Sequence, residues 1–189
     1  MKIIPYSRQS INQDDIDAVT EVLRSDWLTQ GPKVKEFEEA LASRCGAKHC
    51  VAVANGTVAL HLACLALGVK DGDAGITSPL SFLASANCIA YCGGRPEFAD
   101  IDPSRLCLAP ERVEEYCEDR KTPRVVIPVD FAGAPADRPR FRALSEKYGV
   151  LLIEDAAHAI GSRYTFEGQD SACGSCAHTA MAILSFHPR

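Results

Sequence analysis

The sequence predicts an α/β domain in which a mainly parallel sheet is covered by helices on both faces. Three observations lead there. Short apolar runs alternate with segments of helical period along almost the whole chain. The spacers between those runs are long enough for the crossover helices that parallel strands need, where hairpins would use tight turns. Finally, 189 residues at 47% hydrophobic and 24% charged content suffice for one core, with no compositional sign of disorder.

The elements follow in order. Residues 12–25 place Ile16, Val19 and Leu23 at helical spacing, and residues 33–44 repeat the pattern with Val34, Phe37 and Leu41. Val51-Ala52-Val53-Ala54 has the composition of a short buried strand, broken by Asn55-Gly56-Thr57. A helix over 58–67 is stopped by Gly68. A strand near Ile76, weakened by Gly75, leads through Pro79 into a helix over 81–91 that ends at Gly93-Gly94. Residues 96–101 read as a strand, and 110–119 as a helix with Pro110 in its first turn. Strand 125–129, helix 138–148 with Phe141, Leu144 and Tyr148 inward, and strands 150–153 and 181–186 complete the alternation.

Composition narrows the function classes. A net charge of -5 offers no basic stripe to displace counterions, so nucleic-acid binding is not expected. Small anions remain suitable ligands, because helix N-termini bind them even in acidic proteins. No apolar run approaches a membrane span and the first residues lack the apolar stretch of a signal peptide, so a cytoplasmic location is expected. Nine scattered cysteines read as free thiols. Cys173-Gly174-Ser175-Cys176, with His178 and His187 nearby, invites zinc, but a second cysteine pair is missing and a plain loop is the better reading; no metal is expected.

In an open parallel sheet ligands bind beyond the carboxyl ends of the strands, and the chemistry-bearing residues cluster at such ends. Asn55-Gly56-Thr57 joins a strand end to a helix start, where N–H groups and a hydroxyl can hold a phosphate or simply cap the helix. Asp155 follows the apolar run 150–153 and can pair with a cationic ring nitrogen, or again cap a helix. His158 lies three residues on, able to face the same place or to be an ordinary half-buried histidine. Phe82 can stack on a planar ring or pack in the core, and Ser185 can bind phosphate or close a strand. Singly, none decides.

Their order does. Trp27-Leu28-Thr29-Gln30-Gly31-Pro32, Ala54-Asn55-Gly56-Thr57, Ser78-Pro79-Leu80-Ser81-Phe82, Phe98-Ala99-Asp100-Ile101-Asp102, Ile153-Glu154-Asp155-Ala156-Ala157-His158 and Ser185-Phe186-His187-Pro188 together resemble the DegT-type sugar aminotransferases. These are pyridoxal-phosphate (PLP) enzymes of the aspartate aminotransferase fold. The match spans residues 1–189 as the N-terminal part of the PLP-binding large domain, without the C-terminal small domain. The opening Ile4-Pro5-Tyr6-Ser7 and the Ser-Phe-His-Pro variant most resemble the PseC branch. That branch aminates the 4-keto carbon of a UDP-linked 4-keto-6-deoxy-N-acetyl-hexosamine on a pseudaminic acid route.

The resemblance implies roles. Gly56, Thr57 and Ser185 hold the cofactor phosphate, Phe82 stacks on the ring, Asp155 pairs with the pyridine nitrogen, and His158 contacts the ring-hydroxyl side. Tyr6, Trp27, Leu28 and Thr29 line the sugar-nucleotide site. Glutamate is the expected amino donor, and a homodimer is the expected assembly. Asp130 departs from the pattern, standing where many relatives carry histidine. The Schiff-base lysine is expected at position 190, immediately past Arg189, so the 189 residues alone are expected not to turn over. Two other readings stay open: a non-catalytic remnant that binds PLP or pairs with a full-length relative, and a family sugar dehydratase with the lysine replaced.

Overall fold

The computed structural model describes residues 8–187. In chain order its strands are β1 (Ala74–Thr77), β2 (Arg95–Phe98), β3 (Ile101–Asp102), β4 (Cys107–Leu108), β5 (Val125–Ile127), β6 (Leu151–Asp155), β7 (Arg163–Phe166), β8 (Gln169–Ala172) and β9 (Met181–Ile183). The helices are α1 (Gln13–Arg24), α2 (Pro32–Cys45), α3 (Gly56–Ala66), α4 (Ala84–Tyr91), α5 (Pro110–Asp119) and α6 (Arg138–Tyr148). Strands β2, β1, β5, β6 and β9 lie side by side in that order, each neighbouring pair parallel. The chain moves to one edge after β1 and then fills the other side, so the order reverses between β1 and β5. A crevice for ligands opens beyond the strand ends at such a reversal.

The pleat sorts the core. Ile76, Val126 and Leu152 pack with Val113 and Cys117 of α5 and with Phe141 and Leu144 of α6. Val125, Ile127, Ile153 and Ile183 pack instead with Leu60, Ala63 and Cys64 of α3 and with Ala84, Cys88 and Ile89 of α4. Adjacent residues face opposite ways, and both faces are covered, which is why the strands read as continuous apolar runs rather than alternating ones. Each fully buried aliphatic side chain contributes about 1.5–3 kcal/mol.

Local signals set several boundaries. Asn12 and Asp15 form a reciprocal cap at the start of α1. The Asp137 carboxylate accepts the Arg140 N–H at the start of α6, and Gly149, at φ 71°, ends that helix in the left-handed conformation.

Gly75 was expected to weaken its strand. Its position shows a different use: a Cβ there would lie 2.7 Å from Ile89 Cδ1 and 2.9 Å from Val125 Cγ2. Its lack of a side chain is what lets α4 sit close on β1. Gly75→Val is expected to cost about 1–3 kcal/mol through overpacking, read as a lower urea midpoint; an unchanged midpoint would contradict this close-approach role.

Three expectations need correction, and one element was not foreseen. Residues 51–54 form no strand and are exposed; their apolar character is that of a strand, but among the described residues none pairs with them, and the Ala52 N–H is taken by Glu38 Oε1 at 2.8 Å. The strand predicted over 96–101 breaks after Phe98, and Ile101–Asp102 pairs with Cys107–Leu108 instead. The last strand stops at Ile183 rather than 186, where its pairing with β6 ends. The β7–β8 hairpin was not anticipated; Glu167 and Gly168 at its tip have φ 48° and 77°, the double left-handed turn that suits a two-residue hairpin. In α1, Ile16, Val19 and Leu23 keep their helical spacing but remain exposed. No helix among the described residues is long and apolar enough to cross a membrane.

Candidate active site

Asp155 ends β6 and is 4% exposed. Its backbone is tied on both sides: its N–H donates to Pro128 O at 3.0 Å, its carbonyl accepts the Asp130 N–H at 3.0 Å, and the next N–H, from Ala156, donates to Ile183 O at 2.9 Å. The carboxylate is therefore carried on a backbone segment hydrogen-bonded on both sides. Oδ2 accepts the Ser85 hydroxyl at 2.8 Å, and Oδ1 accepts the Ala157 N–H at 3.3 Å. Ser85 Oγ lies 2.6 Å from Ser81 Oγ. Because the Ser85 proton goes to Asp155, the shorter bond draws on the Ser81 proton, giving a directed chain from Ser81 to Ser85 to Asp155.

At the mouth beside β9, the N-terminus of α3 meets the end of the sheet. Asn55 caps α3, its Oδ1 accepting the Val58 N–H at 2.9 Å. The cap leaves the first N–H groups, on Gly56 and Thr57, at the positive end of the helix without an intrahelical acceptor. A Cβ on Gly56 would lie 3.6 Å from Ser185 Cβ and 3.7 Å from Ser185 Oγ. Glycine, the helix start and the Ser185 hydroxyl thus share one small cradle, the donor set that a phosphate requires.

His158 is half-buried, with its ring 6.1 Å from that of Phe131. Its Nδ1 accepts the Ala132 N–H at 3.3 Å. Ala132 has φ 53° and ψ 24°, left-handed values uncommon for a residue with a β-carbon.

The predicted residues divide. Asp155 and His158 follow one another on the β6 exit, and Gly56, Thr57 and Ser185 are brought together across α3 and β9. Phe82 follows Ser81 in the β1–α4 turn and is 69% exposed, so its ring is not committed to the core. Trp27, Leu28 and Thr29 lie exposed in the α1–α2 turn, where Ser25 Oγ accepts the Trp27 N–H at 3.2 Å. Tyr6 lies outside the described residues. The sequence places Ser81 beside Phe82 at a strand end without giving it a role, and Ser85 and Ala132 went unread. The i, i+4 spacing of the two serines in a helix-start segment beside the aromatic was the available signal. Of two surface grooves, one of 570 Å³ around Phe166 and His178 includes none of these residues, whereas the other, of 600 Å³, is lined by Gln30, Gly31, Val34 and Ala52 to Ala54, chain neighbours of Thr29 and of the α3 cap Asn55.

Asp130 belongs to a buried ion cluster beneath the site. Arg138 Nη2 lies 2.5 Å from Asp130 Oδ1 and 3.0 Å from Glu154 Oε1, all three side chains being almost wholly buried. Burial pushes the Asp130 carboxyl up to about 7, against the opposing pull of Arg138. Burial also lowers Arg138, but the two carboxylates more than offset this and hold it above its ordinary value. The Cys173 thiol is pushed up by burial, with Asp130 and Glu154 adding to the effect. Asp130, Glu154 and Cys173 have donor atoms within 4.8 Å of one another. A metal ion there would have to displace the Arg138 guanidinium. The Cys173–Cys176–His178 grouping takes a different form, since His178 Nδ1 lies 2.9 Å from the Tyr164 hydroxyl and its ring 4.1 Å from that of Phe166.

Residues 9–189 match the DegT/DnrJ/EryC1/StrS aminotransferase family. The chain belongs to that family. Among similar solved structures, an aminotransferase from Psychrobacter cryohalolentis is 31% identical with a TM-score of 0.87, over 96% of this chain and 45% of that one. Helicobacter pylori PseC, an aminotransferase involved in pseudaminic acid biosynthesis, is 29% identical with a TM-score of 0.88, over 98% and 48%. NtdA from Bacillus subtilis, with bound cofactor PMP, is 32% identical with a TM-score of 0.74, over 80% and 35%. The chain spans less than half the length of each. As a family member it has the large-domain architecture of the aspartate aminotransferase fold, and the Asp155 carboxylate and the Gly56–Ser185 cradle lie at the carboxyl end of the sheet, the end at which open parallel sheets bind ligands.

Proposed function

We propose that these residues are the cofactor-holding part of a PLP-dependent nucleotide-sugar aminotransferase. The reaction class is transfer of an amino group from glutamate to the 4-keto carbon of a UDP-linked 4-keto-6-deoxy-N-acetyl-hexosamine. One observation carries the cofactor reading: a buried carboxylate and an anion cradle stand at the same end of one sheet, the two charges that a phosphorylated pyridinium needs. When bound, PLP supplies an electron sink for the carbon that exchanges the amino group.

The chain's own residues have distinct tasks in this reading. The Gly56 and Thr57 N–H groups and the Thr57 and Ser185 hydroxyls bind the phosphate. Asp155, held by Ser85, keeps a ring nitrogen protonated by its negative charge. Phe82 covers a ring face, and His158 donates toward the ring hydroxyl. Trp27, Leu28, Thr29 and Tyr6 are assigned to the sugar nucleotide. The reading includes a cytoplasmic homodimer.

The test is a PLP titration of the purified protein, followed by absorbance. Saturable binding is expected, weakened about tenfold by Ser185→Ala or Thr57→Val, as for loss of one hydrogen bond to a charged group. Uptake that never saturates, or that ignores both substitutions, would sink the reading.

A further inference from the structure

We infer that Asp130 and Arg138 are positioning residues for His158: their buried ion pair holds the turn whose Ala132 N–H sets the tautomer of the imidazole. The link to catalysis rests on the proposed PLP site, whereas the geometry stands independently of it.

Asp130 organises this turn from both of its ends. Its N–H donates to Asp155 O at 3.0 Å, which registers the turn against β6. Its Oδ1 accepts the Ala136 N–H at 2.9 Å as well as the Arg138 guanidinium at 2.5 Å, closing residues 130–136 on one carboxylate oxygen. Inside the loop, the Gly133 N–H donates to Asp130 O at 3.1 Å and the Ala134 N–H to Phe131 O at 3.0 Å. Ser162 adds a tie from outside, its hydroxyl donating to Gly133 O at 2.8 Å. Arg138 in turn reaches Glu154 Oε1 at 3.0 Å, the chain neighbour of Asp155. The left-handed Ala132 is thus held by contacts on every side, as a strained residue must be to persist.

The product of this arrangement is one N–H aimed at a ring nitrogen, 3.3 Å from His158 Nδ1. A backbone N–H can only donate, so Nδ1 must present its lone pair, and in the neutral imidazole the proton sits on Nε2. The second ring nitrogen is then fixed as a donor, the role proposed for it toward the cofactor's ring hydroxyl. Without the ion pair, the carboxylate that closes the turn loses its charged anchor, and the Ala132 N–H is no longer held on Nδ1.

The inference is tested above pH 7, where the Asp130 carboxyl is ionised, by two-bond ¹H–¹⁵N spectra of the histidine rings in cofactor-free protein, with His158 assigned by its disappearance in His158→Gln. Wild-type protein is expected to show His158 as the single Nε2–H tautomer; an Nδ1–H form there overturns the inference without any further variant. Asp130→Asn, which keeps the shape of the side chain, and Arg138→Met should each convert the His158 signals to a tautomer mixture while the other ring signals stay put. Ala132→Gly accepts the same backbone angles and should retain the wild-type tautomer. A folded Asp130→Asn or Arg138→Met protein with an unchanged His158 pattern would show that the pair is merely structural. Failure of PLP to bind, with the tautomer as expected, would count against the functional proposal and not against this one.

Discussion

Replacing Arg138 by alanine is expected to destabilise the protein by about 3–5 kcal/mol, read from urea unfolding. The guanidinium faces two carboxylates at 1% exposure, and its removal strands both in an interior that cannot solvate them. The native cluster is itself imperfect, because among the described residues Asp130 Oδ2 and Arg138 Nε and Nη1 have no hydrogen-bond partner. The Arg138 guanidinium carbon lies 5.8 Å from the Tyr164 ring centroid, a cation–π contact that only partly offsets this. Net stabilisation by the cluster is accordingly small even though breaking it is costly. The triple variant Asp130→Asn, Glu154→Gln and Arg138→Met, which leaves no buried charge unpaired, should recover much of the loss, and an Arg138→Ala protein within about 1 kcal/mol of wild type would refute the account. The sign of the pH dependence follows from Asp130. Its carboxyl is raised to about 7 from an ordinary 3.8, so the folded state holds a proton that the unfolded chain releases. This contribution is present in full below about 4 and is lost as pH rises through about 7. Asp130→Asn should remove that fall in stability relative to wild type.

Asp155→Ala is expected to weaken PLP binding by about 10- to 100-fold, the loss of one charge-assisted hydrogen bond, or about 1.5–3 kcal/mol. Asp155→Asn separates charge from shape. The amide can still accept from Ser85 but cannot hold a ring nitrogen in its protonated form by charge, so most of the affinity should still be lost. Equilibrium titration by cofactor absorbance measures both. If Asp155→Asn binds like wild type, the carboxylate does not pair with a pyridinium, and the cofactor orientation proposed here fails.

Much of this was legible in the sequence, for physical reasons that differ by element. Helix 138–148 was read with its observed bounds because Asp137, Pro139 and Gly149 punctuate it locally. Residues 110–119 were legible from Pro110 in the same way. Residues 51–54 were misread because apolar composition describes what a segment can bury, while a strand also needs a neighbour to share its backbone hydrogen bonds. The β7–β8 hairpin was overlooked because its strands are largely polar; Glu167-Gly168 between Phe166 and Gln169 was the overlooked turn signal. The site residues were legible through their order along the chain. What supports them was not. Ser85 is an ordinary serine within a helix, and the pairing of Asp130 with Arg138 depends on how a turn closes.

The hydroxyl chain from Ser81 through Ser85 to Asp155 has a consequence for how substitutions combine. One end adjoins the exposed aromatic at 82, and the other ends on the buried carboxylate. The aromatic and the anion proposed to flank the cofactor are therefore joined through two hydroxyl protons rather than built as separate parts. Losses from Phe82→Ala and Asp155→Asn should not add in the double variant, and Ser85→Ala, by cutting the join, should make them nearly additive. In the proposed site, affinity is a property of this connected pair.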